Sequence, residues 1–216
     1  MAFKDRIDAA RPLAEALAAY RGKGPLVLAI PRGAVRMGRV LADALGGELD
    51  VVLVRKLRSP HSAEYAVGAI DETGWAYVAA HAAEVGADHE YLAREKCAQA
   101  EILRRRRSLY TPARAPIDPG GRIAIVVDDG LATGATMIAA LHCVRAKAPR
   151  RLVCAIPVAA RDSLAKVALY ADEVVCLEAP ADFFAVGQFY CDFPQVEDDE
   201  VVSLLAGPGG DPAHAA

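Results

Sequence analysis

The chain has 216 residues, 54% of them hydrophobic, with 25 Lys and Arg against 28 Asp and Glu, a formal net charge of -3 and a pI near 6.0. That is apolar material for one globular domain with a modest appendage, and two full domains would be a tight fit. The charge balance gives no general pull toward nucleic acid or anionic membranes, so any phosphate binding has to be local. The start Met1-Ala2-Phe3-Lys4-Asp5-Arg6 lacks an apolar signal core, and no run approaches the roughly 18 apolar residues of a membrane span. A cytoplasmic location is expected. The five cysteines, at 97, 143, 154, 176 and 191, are odd in number and contain no C-x-x-C pair, which reads as buried, reduced thiols rather than a disulfide or zinc framework.

Short runs of Val, Ile, Leu and Ala without polar alternation recur at 25–30, 49–54, 122–128, 151–156 and 173–177, as expected of strands covered on both faces. Helical stretches at 34–45, 133–148 and 161–168 fall between them. This alternation predicts βαβ units and an α/β, doubly wound parallel sheet. Residues 58–79, with Pro60, Gly68 and Gly74, read as a projecting flexible loop or hairpin with β-like pieces around 65–70 and 75–78. A long helix follows over 88–110, with Asp88 as N-cap and the pairs Glu90/Arg94 and Glu101/Arg105 on its surface. The expected organisation is one domain over 1–206, with its core at about 20–178, a small hood from the N-terminal segment and 179–206, and a disordered tail at 207–216.

Chemistry concentrates where the run Ile123-Ala124-Ile125-Val126-Val127 meets Asp128-Asp129-Gly130-Leu131-Ala132-Thr133-Gly134-Ala135-Thr136. Small residues let backbone N–H groups close around a phosphate, and the helix that follows adds the positive end of its dipole. Thr133 and Thr136 add hydroxyl donors. Two carboxylates at a strand end accept hydrogen bonds from a vicinal diol or hold the water shell of Mg²⁺. Phosphate and diol together point to a ribose 5-phosphate. The loop is not a Walker A sequence, since no Lys follows the glycine, and not G-x-G-x-x-G.

An acidic pair, three small or apolar residues and T-G-x-T after a β-branched strand resemble the type I phosphoribosyltransferase signature. Over roughly residues 20–195 the chain is most similar to a bacterial group of predicted phosphoribosyltransferases whose acceptor is undefined. The resemblance implies binding of 5-phosphoribosyl 1-diphosphate with Mg²⁺, held by Asp128 and Asp129 through water, and transfer to a nitrogen acceptor such as a nucleobase. It implies a diphosphate-binding loop at Pro31-Arg32-Gly33-Ala34, where the first strand meets its helix. Arg55-Lys56-Leu57-Arg58 resembles the Arg-Lys before the mobile loop of orotate and adenine enzymes, and Glu64-Tyr65 an acidic-aromatic pair of the adenine enzymes. Catalytic roles are thereby expected for Asp128, Asp129, Lys56, Arg58, Glu64 and Tyr65, and diphosphate contacts for Arg55 and Lys56.

Residues 183–193, with Phe184, Val186 and Asp192, resemble the base-binding hood of hypoxanthine-guanine enzymes, Phe184 taking the stacking role. Asp192 stands one residue farther from Gly187 than in that pattern. Ala132 replaces the Asp those enzymes carry in the loop, and Pro157-Val158-Ala159 replaces their Lys-Arg pair, which disfavours hypoxanthine and guanine. Two alternatives remain: a phosphoribosyl-diphosphate-sensing regulator or RNA-binding protein using the run Arg104-Arg105-Arg106-Arg107, and a phosphoribosyl-directed hydrolase. A homodimer is left open.

Overall fold

The structure, a computed structural model, describes residues 2–113 and 115–206, excluding the side chains of 63 and 64. The expected disordered tail at 207–216 lies outside the described residues. In chain order the elements are α1 (Arg6–Ala16), β1 (Leu26–Ala29), α2 (Val35–Leu45), β2 (Glu48–Val51), β3 (Val54–Ser59), β4 (Ser62–Asp71), β5 (Ala76–Val78) and α3 (His89–Tyr110). Then follow β6 (Ile123–Val127), α4 (Ala135–Arg145), β7 (Arg151–Val158), α5 (Arg161–Val167), β8 (Glu173–Glu178) and α6 (Asp198–Ala206).

Five strands form a parallel sheet in the order β2-β1-β6-β7-β8. Strand residues alternate between the two faces, so a strand apolar at every position feeds two cores. Val27, Ala29, Ile125, Val127, Val153 and Ala155 join α1 and α2 in one cluster. Leu28, Ile30, Val126, Leu152, Cys154 and Ile156 join α4 in the other. From β1 the chain steps outward to β2, and from β6 it steps the opposite way, which puts the topological switch point between β1 and β6. Ligands of open α/β sheets collect at the carboxyl ends of the strands at such a point.

The predicted single strand over 49–54 is corrected. The parallel strand stops at Val51, and Val54 already pairs with Asp71 in a separate antiparallel sheet, β3-β4-β5. Val51 to Val54 are uniformly buried, so hydropathy gives no sign of the break. The hairpin expected over 58–79 is present, but it begins earlier and is packed between α3 and α4. Asp88 caps α3 by accepting from the Tyr91 amide, as expected. Glu101 pairs with Arg104 at i,i+3 rather than with Arg105. The expectation of buried thiols holds for Cys143 and Cys154, whereas Cys97 and Cys191 are exposed.

Two elements went unforeseen. Helix α1 carries Pro12 in its interior, and its core face is mostly alanine: Ala9, Ala10, Leu13 and Ala14. Helix α6 opens on Asp198, Asp199 and Glu200, charges that suit a helix N-terminus. The N-terminal strap and the chain near 190 run together, the Phe3 amide donating to the Phe189 carbonyl and the Cys191 amide to that of Phe3.

Candidate active site

A cleft of about 460 Å³ opens at the switch point. The loop after β1 brings Pro31, Arg32 and Gly33 to its wall, and the loop after β6 brings Asp128 through Gly134 together with Thr136. Ala34, at the start of α2, is buried behind them. The Pro31–Arg32 peptide is cis.

Asp128 accepts a hydrogen bond from the Asp129 amide at 2.9 Å. Asp129 accepts from Arg6 Nε at 2.8 Å, and its carbonyl accepts from the Tyr190 hydroxyl at 2.7 Å. Burial, and then the neighbouring Asp129 charge, hold the Asp128 carboxyl well above the ordinary carboxylate range. Burial also raises Asp129, against the opposing pull of Arg6. The same enclosure and the nearby Asp129 push the Tyr190 hydroxyl upward, so it remains a donor. These carboxylates are held at an energetic cost that a cation or a pair of hydroxyl donors would relieve.

Gly130 lets the hood approach the loop: a Cβ there would stand 2.7 Å from a methyl of Val186. Gly134 is left-handed (φ 78°) and serves as N-cap of α4 without a side-chain cap. The loop is anchored from behind by Leu131 N–H to Val158 O, Ala160 N–H to Leu131 O, and Ser163 Oγ to Ala132 O. Among the described residues, the amides of Ala132, Thr133 and Gly134 donate to no protein acceptor. Free amides ahead of a helix N-terminus form a cradle for an anion.

The predicted cations divide. Lys56 lines the cleft, and Arg32 lines it while paired with Glu197 at 2.8 Å. Arg55 and Arg58 lie outside that wall, held by α3: Arg55 Nε donates to Gln99 at 2.9 Å and Arg58 Nε to Glu95 at 3.0 Å. They are not loose charges at the end of a parallel strand but residues within β3. Tyr65 lines the cleft and is half exposed. The side chain of Glu64 lies outside the described set.

The hood places its residues differently from the expected stacking arrangement. Phe184 is 89% exposed and absent from the cleft wall. Asp192 is exposed, its amide bonded to Lys4 O at 2.9 Å, and it does not line the cleft either. Val186 does, with Phe193, Gln195 and Val196. The cause is the turn at 186–189, fixed by Gln188 accepting from the amides of Phe184 and Ala185, which leaves Phe184 on the outside.

Arg6 is the residue that sequence reasoning missed. It is buried at the cleft, stacks on the Phe193 ring at 3.7 Å and donates to Pro194 O at 2.7 Å. A lone Arg near a chain start carries no local signal of a partner 123 positions away.

Comparisons with known proteins identify the family of the chain. A family model described as a phosphoribosyl transferase domain matches residues 3–194. Two Mycobacterium tuberculosis proteins provisionally named phosphoribosyl transferases are 44% identical over 205 residues, which is 94% of this chain and 46% of theirs. The chain thus spans about half the length of these curated relatives. The crystal structure of TT1426 from Thermus thermophilus is 44% identical with a TM-score of 0.79, covering 95% of this chain and 98% of that one.

Proposed function

This chain belongs to the family of phosphoribosyl transferase domains, and on that premise we propose that it transfers the 5-phosphoribosyl group from phosphoribosyl diphosphate to a nitrogen acceptor, with release of diphosphate. The observation that carries the reading is the adjacency of two costly carboxylates, Asp128 and Asp129, to the uncommitted amides of Ala132 to Gly134 in one cleft. One part suits a ribose diol and the other a 5-phosphate.

In this reading the C1–O bond to diphosphate breaks, the acceptor nitrogen forms a bond to C1, and the acceptor gives up its proton. Arg32 and Lys56 face the growing charge of the leaving group, where fixed cations stabilise a transition state most. Arg55 and Arg58 stand behind Lys56, and Glu64 and Tyr65 belong to the hairpin that would shield an oxocarbenium-like centre from water. Asp128 and Asp129 orient the ribose.

The residues fit Mg²⁺. It is commonly held by one or two carboxylates with waters and substrate phosphates, and the adjacent Asp128 and Asp129 carboxylates at the cleft, both raised by burial, are such an oxygen donor pair. Asp128 and Asp129 would hold the ion, which when bound neutralises phosphate charge.

A nucleobase is the proposed acceptor class, facing the apolar wall of Val186 and Phe193. The proposed setting is cytoplasmic; among the described residues no helix is long and apolar enough to cross a membrane. The RNA-binding alternative loses support, since Arg104 pairs with Glu101 and Arg107 with Glu72. Diphosphate release from phosphoribosyl diphosphate and Mg²⁺, measured with each of a panel of bases and with none, tests the reading. Release that depends on a base supports transfer; equal release without one identifies water as acceptor, and no release in any arm defeats catalysis.

A further inference from the structure

The cations that line the cleft are Arg6, Arg32 and Lys56. Arg6 is committed to Asp129 and to the Pro194 carbonyl. Arg32 is held from outside. Its Nη1 lies 2.8 Å from Oε2 of Glu197 and 3.8 Å from Oδ2 of Asp198, two acids that are not part of the cleft wall. Both belong to the start of the last helix: the Glu197 carbonyl accepts from the Val201 amide, and α6 is packed down through the buried Val201 and Leu205.

The two acids are fixed unequally. Asp198 is half-buried, accepts from the Tyr110 hydroxyl and has Arg106 at 3.8 Å, so α3 holds it independently of Arg32. The Glu197 side chain is 69% exposed and, among the described residues, pairs with no other cation. Rotating that side chain frees Arg32 without disturbing α6, at the small cost of an exposed ion pair. Arg32 itself is 18% exposed. A guanidinium so shielded is costly to leave unpaired and gives up one anion only for another.

We propose that Glu197 is a specificity-determining residue of the site, an internal anion on Arg32 that a diphosphate displaces and a lone phosphate does not. The inference rests on the function proposed above. A diphosphate carries more charge than a carboxylate and offers several oxygens to the guanidinium fork. A sugar phosphate without it is held at the amides of Ala132 to Gly134 and leaves the Arg32–Glu197 pair closed. Glu197 thus weakens binding of the diphosphate part alone, and its return to Arg32 after transfer helps the diphosphate product to leave.

The test is calorimetric titration of the full chain with phosphoribosyl diphosphate and inorganic diphosphate, each with Mg²⁺, and with ribose 5-phosphate. Wild type is compared with Glu197→Gln and Asp199→Asn. Asp199 is exposed and stands outside the Arg32 pairs, so its substitution controls for the change in net charge. Glu197→Gln should bind both diphosphate compounds about threefold to fivefold more tightly, the scale of an exposed ion pair. Its affinity for ribose 5-phosphate should be unchanged, and Asp199→Asn should match wild type in every arm. Adding Arg32→Gln should abolish the gain. Glu197→Asp, which keeps the charge but shortens its reach, should show part of the gain, and unfolding midpoints show that each variant is folded. Unchanged or weaker diphosphate binding by Glu197→Gln, or the same gain for ribose 5-phosphate or in Asp199→Asn, overturns the proposal. Wild type that binds none of the three compounds defeats the proposed function and this inference with it, whereas equal binding by wild type and Glu197→Gln removes only the role of Glu197.

Discussion

Arg6 donates through Nε to Oδ2 of Asp129 at 2.8 Å, joining the first helix of the chain to the acidic pair at the end of β6. Both side chains are largely buried, at 8% and 16% exposure. Removing one partner of such a pair leaves a buried charge and costs on the order of 3 kcal/mol. Arg6→Met should therefore lower the thermal midpoint clearly, and adding Asp129→Asn should restore more than half of the loss. Simple additivity of the two effects in a double-mutant cycle would show that the pair is not coupled.

Asp128 offers a pH test. Its folded-state pKa is raised, so the carboxyl carries no penalty below the ordinary value near 3.9 and loses stability as pH rises through the folded-state value. Asp128→Asn removes that penalty. The variant should unfold at a higher temperature than wild type at pH 7 to 8, by about 2–4 °C for each kcal/mol. The difference should close as pH falls toward 4. A variant less stable than wild type at pH 8 would contradict the account.

Gly33 sits where a side chain would collide with the Asp129 carboxylate and meet Arg6 at 3.2 Å. Gly33→Ala must displace one of them. The expected outcome is a Kd for phosphoribosyl diphosphate raised at least tenfold with the fold retained, checked by titration and circular dichroism. Unchanged affinity would mean that the position of Asp129 is not critical.

In the hood, Phe193 and not Phe184 faces the cleft. Phe184→Ala should change stability by less than about 0.5 kcal/mol, the usual range for surface positions, and leave the KM for the acceptor unchanged. Phe193→Ala removes the ring beneath Arg6 and part of the acceptor wall. It should raise that KM severalfold. The opposite ranking in steady-state kinetics would return the stacking role to Phe184.

The contrast between these two rings shows what the sequence made legible. The parallel strands could be read because residues such as Val126 and Val127 are apolar on both faces, a consequence of cores on either side. The phosphate-cradle candidate could be read because its residues are consecutive from Asp128 to Thr136. The break between β2 and β3 could not, because Val52 and Leu53 are as buried as the strands around them. Arg6 and Phe193 owe their places to packing between the chain's two ends, which leaves no local pattern. Phe184 had the right chemistry in the right segment, and only the turn at 186–189 decided which ring faces inward.

The proposed function rests on binding of phosphoribosyl diphosphate by the acidic pair and the adjoining loop. Isothermal titration of the wild-type chain with phosphoribosyl diphosphate and Mg²⁺, beside the folded Asp128→Asn/Asp129→Asn variant, tests it most directly. Saturable one-to-one binding by wild type and at least a hundredfold loss in the variant are expected. Absence of binding by folded wild type, or equal binding by both proteins, would contradict it.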